Sequence, residues 1–190
     1  MAKTEESLPL PLERRLYFAE QVDQKSIVDV TKQILEINED DSYLERLYDI
    51  HGIKYKPKPI EIYIDSYGGN VYQVLGLIGV MEKSTVEIHT YVTGCAMSCG
   101  FMILITGHKR FAYQHSTPLY HQVSTGFYGN VSDMEIEYKE GKRLQRKLEK
   151  LTLEKTKITQ DKLDQIYKTK TDWFMSAKDA LKYGVVDAIV

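Results

Sequence analysis

Ser98 stands among small residues in Gly94-Cys95-Ala96-Met97-Ser98-Cys99-Gly100-Phe101. The residues before it read as leading out of a strand, and those from Gly100 as a helix. A tight strand-to-helix turn would present the hydroxyl, and the helix start would add positive potential and unpaired N–H groups. That setting suits a serine nucleophile in acyl transfer. The hydrolase elbow has glycine two residues earlier, where Ala96 stands here, and an ordinary helix N-cap serine fits the same pattern. A second segment, Ile62-Tyr63-Ile64-Asp65-Ser66-Tyr67-Gly68-Gly69, places paired glycines after a buried strand. Backbone N–H groups there can point into a cleft, with Gly69 and Cys99 as the two donors of an oxyanion hole. A plain βα turn reads the same way. His121, in Pro118-Leu119-Tyr120-His121-Gln122, is placed to act as general base toward Ser98, although a lone histidine also serves structural roles.

The elements that must position these groups follow from periodicity. Leu16-Tyr17-Phe18 reads as a short strand. Ser26-Ile27-Val28-Asp29 resembles a capping box opening a helix with Ile27, Val30, Ile34 and Ile37 on one face. Asn38 to Ser42 is expected to break it, and Tyr43 to Ile50 to form a separate short helix. Strands are expected at Ile60 to Ile64 and Val86 to Val92, with a helix from Asn70 to Lys83 between them. Thr93 to Ser98 is turn-like, Gly100 to Gly107 is an apolar helix, and Arg110 to Tyr113 and Pro118 to Tyr120 are short strands. The alternation implies βαβ units and a mostly parallel sheet. Past the glycine-rich loop Gly126 to Asn130, Ser132-Asp133-Met134-Glu135 would cap a long charged helix. Its narrow stripe of Leu144, Leu148 and Leu151 suits a projecting helix that meets a partner. Thr159 to Tyr167 and a segment capped by Ser176-Ala177-Lys178-Asp179 are further helices, the last ended by Gly184.

Composition narrows the classes. The chain has 190 residues, 43% apolar and 27% charged, with a formal net charge of −2. This suits one soluble domain and gives no global basic field for nucleic acid. The polar, acidic N-terminus lacks the apolar core of a secretory signal, and no apolar run is long enough to span a bilayer. Cys95 and Cys99 are too few for a disulfide framework, which favours an intracellular, cytoplasmic protein. Their spacing, with His89 or His108 added, is a weak match to a zinc site.

Taken in order, Asp65-Ser66-Tyr67-Gly68-Gly69, Gly94 to Gly100, Lys109-Arg110-Phe111, His121-Gln122 and Asp172-Trp173-Phe174-Met175-Ser176-Ala177 resemble the Clp protease proteolytic subunit family. Ala180-Leu181-Lys182-Tyr183-Gly184-Val185-Val186-Asp187 extends the match, which covers residues 12 to 190. The resemblance implies a crotonase-like α/β fold of repeated βαβ units in a single domain, with residues 1–11 a flexible N-terminal segment. It implies a projecting handle helix in the region of about 126–157. It also implies a serine endopeptidase with Ser98 and His121 in the site, working in heptameric rings stacked in pairs around a chamber. The expected partners are protein and peptide substrates, an ATP-driven AAA+ unfoldase that uses the only cofactor, and a paralogous subunit.

Aligning on Ser176-Ala177 puts Lys168 at the family's triad-acid position. Lysine has no acceptor for an imidazole N–H, so reduced activity is expected there. Asp172, Thr169 or a backbone carbonyl would then orient His121. The alternative function is a weak or silent subunit that assembles with, or regulates, an active Clp protease.

Overall fold

In a computed structural model, residues 8–126 and 129–190 are described. The first seven residues of the expected N-terminal arm lie outside them, as do Phe127 and Tyr128 of the glycine-rich loop. Five strands form a parallel path: β1 (Arg15–Phe18), β2 (Ile60–Ser66), β3 (Ile88–Met97), β4 (Lys109–Ala112) and β7 (Ala188–Ile189). Strand β5 (Thr117–Tyr120) pairs with the far end of β3, and β6 (Trp173–Phe174) runs antiparallel to β5. The helices are α1 (Gln24–Ile50), α2 (Val71–Lys83), α3 (Cys99–Thr106), α4 (Val131–Lys155), α5 (Gln160–Thr169) and α6 (Ala177–Lys182). This is the expected α/β architecture with a parallel-dominated sheet.

Strand alternation sorts the two sheet faces. Ile60, Ile62 and Ile64 are fully buried beneath the helices. Their neighbours point outward, where the register partners Tyr17, Tyr63, Tyr91 and Phe111 stack across four strands with centroids 5.4, 4.8 and 4.7 Å apart. Every residue of α3 is buried, so this helix is core on all sides.

Four local expectations are corrected. First, α1 runs unbroken through residues 38–42. The polar residues there are satisfied rather than disruptive: Asn38 Nδ2 donates to the Ile34 carbonyl, and its Oδ1 accepts from Thr85 N–H at 2.9 Å. Asp41 is buried against the Arg14 guanidinium, which also donates to the Lys58 carbonyl at 3.0 Å. Second, the capping box of α1 is Asp23 with Ser26, and that of α4 is Asn130 with Asp133. The box expected on α6, Ser176 with Asp179, is present as read. Third, Thr93 to Met97 are strand, not turn, because β3 changes partner along its length. His89 to Val92 pair with β4, and Cys95 to Met97 pair with β5. Fourth, Leu144 and Leu148 on α4 face this subunit's own core, with Leu151 half-buried. The exposed apolar residues of that helix are Val131, Met134, Ile136 and Tyr138, nearer its start.

Candidate active site

The turn after β3 is the sharpest feature of the backbone. Ser98 has φ 53° and ψ −117°, in a region that L-residues avoid. It occupies the N-cap position of α3, yet its side chain makes no capping hydrogen bond. The N-cap serine reading therefore does not account for it. Non-glycine backbone in such a conformation costs roughly 1–3 kcal/mol and persists only where the surroundings impose it.

The surroundings are β5 on one side and the glycine turn on the other. Ser98 N–H donates to the Leu119 carbonyl at 3.1 Å, extending the β3–β5 ladder by one step. Gly68, at φ +96°, lies so close to the turn that a Cβ there would fall 2.6 Å from the Met97 carbonyl and 2.7 Å from Ser98 Cβ. Only glycine fits. Gly69 is similarly pressed against Val22, whose carbonyl would meet its Cβ at 2.3 Å. Asp65 braces the incoming strand by accepting from Cys95 N–H at 2.8 Å. The role of Gly68 as the point of contact, and of Asp65 as a brace, is not visible in the sequence motif, which only marks a turn.

The donors expected for an oxyanion hole are free. Among the described residues, neither the Gly69 nor the Cys99 N–H donates a hydrogen bond. The Cys99 N–H opens α3 and carries the positive end of its dipole. The Cys99 side chain turns inward, with Sγ donating to the Gly69 carbonyl at 3.1 Å. Burial pushes this thiol up to about 11, and does the same for Cys95. Both therefore stay protonated and unreactive at neutral pH.

His121 follows the last residue of β5, one step past Tyr120. Parallel pairing of Met97 with Leu119 brings it to the same end of the sheet as Ser98. Both border a cleft of about 260 Å³ whose walls include Gly69, Met102, Tyr120 and Val123. A wider hollow of 470 Å³ beside Arg14, Lys58 and Glu61 holds no nucleophile.

Two candidates for the third group lie near the end of this sheet. Leu119 pairs with Phe174 and Tyr120 with Trp173 in the antiparallel β5–β6 pair. The pair ends there, with His121 following β5 and Asp172 preceding β6. Lys168 is an exposed residue in the last turn of α5. Asp172 is thus the carboxylate that adjoins the strand end from which His121 emerges. No hydrogen bond links the side chains of Ser98, His121 and Asp172 in this isolated subunit. What is in place is the backbone frame, and catalytic hydrogen bonds commonly tighten only with substrate present.

Among the described residues, no group of three or more His, Cys, Asp or Glu side chains is placed to hold a metal ion. His89 instead pairs with Glu87 at 3.1 Å, and His108 Nδ1 accepts from Ile88 N–H. No helix of the described residues is long and apolar enough to cross a membrane.

Residues 9–190 match the family model described as Clp protease. Among curated proteins, the chain is 36% identical over 135 residues to the ATP-dependent Clp protease proteolytic subunit 2 of Synechococcus sp. strain CC9605, covering 70% of this chain and 68% of that one. It is 36% identical over 133 residues to the ATP-dependent Clp protease proteolytic subunit of Deinococcus radiodurans, covering 69% of this chain and 64% of that protein.

Proposed function

Since the chain belongs to the Clp protease family, we propose a peptide-hydrolysing mechanism in which Ser98, His121 and Asp172 act together. The protein is a Clp-type serine peptidase subunit. In our reading, His121 accepts the Ser98 proton as Oγ attacks the scissile carbonyl. The Gly69 and Cys99 N–H groups receive the oxyanion. Asp172, which precedes β6 where His121 follows its partner β5, accepts from the imidazole N–H and stabilises the imidazolium. His121 then gives the proton to the leaving amine, and water releases the acyl group by the reverse sequence.

The observation that carries this reading is the Ser98 backbone. An avoided conformation, held by two neighbouring segments and capping nothing, presents a hydroxyl into a cleft shared with a histidine. Such a geometry has no structural use that glycine would not serve with less strain.

The assembly we propose is a heptameric ring, stacked in pairs, with the sites facing an enclosed chamber and an ATP-driven unfoldase feeding it. The exposed apolar residues of α4 and the family membership support this. The chemistry itself needs no metal or organic cofactor, and ATP is used by the partner. The test is hydrolysis of a small fluorogenic peptide, with labelling by a fluorophosphonate. The wild type should cleave and be labelled at Ser98, and Ser98→Ala should do neither while assembling normally. Equal cleavage by the two proteins would remove Ser98 from the mechanism. An unlabelled, inactive wild type would favour the silent-subunit alternative.

A further inference from the structure

Gln145 sits on the inward face of α4 and is only 7% exposed. A buried primary amide needs partners, and each one it has is informative. Its Oε1 accepts from the Val123 N–H at 2.7 Å, and its Nε2 donates to Glu149 Oε1 at 2.8 Å. The buried Tyr120 hydroxyl lies against the same amide. Burial holds that hydroxyl above the usual phenol range, and the Gln145 contact offsets this in part.

Tyr120 and Val123 bracket His121 in sequence, and all three border the cleft with Ser98. Strand β5 ends at Tyr120, and residues 121–126 belong to no strand. Among the described residues, the bond from Val123 N–H to Gln145 is the only hydrogen bond made by the backbone of that segment. The chain carrying the proposed base is therefore tethered at a single point, to a side chain on a different element. Glu149, one turn further along α4, orients the amide so that its oxygen faces Val123.

We propose that Gln145 is a positioning residue for His121. It fixes the segment after the imidazole and ties the angle of the base to the placement of α4. The inference rests on the peptidase reading for its catalytic consequence, but the tether itself does not. Gln145→Leu keeps most of the volume and removes both bonds. A misplacement of the base by about 1 Å is worth on the order of a hundredfold in rate.

The experiment compares four proteins: wild type, Gln145→Leu, Gln145→Glu, and Gln145→Glu combined with Glu149→Gln. Peptide hydrolysis, fluorophosphonate labelling, light scattering and amide hydrogen exchange across residues 120–126 are measured on each. Gln145→Leu should assemble normally, lose about ten- to a hundredfold in kcat with little change in KM, label more slowly, and lose protection at the Val123 amide. Gln145→Glu alone sets two carboxylates against each other, so its activity should be low at neutral pH, and its deficit relative to wild type at the same pH should shrink as the pH falls and they share a proton. The double variant exchanges acceptor and donor, restoring both bonds, and should return rate and protection to within about threefold of wild type. Unchanged kcat and unchanged exchange in a well-assembled Gln145→Leu would overturn the proposal. Should Gln145→Leu fail to assemble, the exchanged pair decides: a double variant no better than Gln145→Glu alone would overturn it. An inactive wild type would instead count against the peptidase reading, and the tether would then stand or fall on the exchange at Val123.

Discussion

Ser98 is held at φ 53° and ψ −117° by contacts that its own side chain does not make. Conformational energy is thus spent where the hydroxyl must protrude. Ser98→Gly should release that strain and raise stability by about 1 kcal/mol in denaturant unfolding, while abolishing hydrolysis. A destabilised glycine variant would show that the turn is not strained. For His121, the expected acceptor is Asp172. Asp172→Asn should lower kcat by up to about 10⁴, the effect of disabling a triad acid, and Lys168→Asp should leave it within about threefold. The opposite pattern in steady-state kinetics would return the orienting role to the α5 terminus. The candidate nucleophile, base and glycine turn were legible from small residues flanking Ser98 and from motif order. Asp172 was legible only as one of several acceptors, because choosing among them depends on how the chain beyond β5 and β6 is placed. A count back from Ser176-Ala177 gives an alignment position, not the side chain that reaches His121.

At the scale of elements, β3 organises the site by changing partners, from β4 to β5, midway along its length. Its strand character past Thr93 could not be read from Gly94, Cys95 and Ala96, which look like a turn. Small residues are required there because Asp65 packs directly against Gly94. The break expected at residues 38–42 failed for a related reason. Asn38 and Asp41 are poor helix residues in isolation, but each has partners from distant segments, Ser84 and Thr85 for one and Arg14 for the other. The edge of the sheet carries a testable pair. Asp187 accepts from the Arg110 N–H at 2.8 Å and from its guanidinium at 2.7 Å, locking β7 onto β4. Burial raises the Asp187 carboxyl, but the hydrogen bonds and charge of Arg110 outweigh this and leave it below its usual value. A carboxylate depressed in the folded state stabilises fully above its unfolded pKa of about 3.9, and that contribution is lost as pH falls through the lower folded value. Asp187→Asn should therefore cost about 1 kcal/mol at pH 7, a figure reduced by the partial exposure of the pair, and progressively less as the pH is lowered below the unfolded value of about 3.9. A difference that persists undiminished into acid would rule out the ion pair as its cause.

For the whole molecule, the α/β layout was legible because strand and helix periods alternate cleanly through residues 60–107. The direction of the α4 stripe was not. Leucine spacing shows that a helix has an apolar side but not whether that side meets its own core or a neighbour. Here Leu144 and Leu148 face inward, and Val131, Met134, Ile136 and Tyr138 remain uncovered. Together with the aromatic face carrying Tyr17 and Tyr63, this leaves more apolar surface open than a solitary subunit needs. Static light scattering in physiological salt should give a mass many times the 22.0 kDa of one chain. Ile136→Glu combined with Met134→Glu should reduce the assembled mass. A single-chain species at micromolar concentration would refute the ring.

The inward-turned thiols have a practical side. Cys95 and Cys99 are the only two cysteines in the chain, and both are buried beside the nucleophile. A maleimide dye offered to the native protein thus finds no ready target, and its slow uptake becomes a clock for opening at the active centre. The same property leaves the exterior chemically silent. One cysteine installed on the far end of α1 would accept a fluorophore without any prior removal of native thiols, giving a singly labelled particle for following subunit exchange.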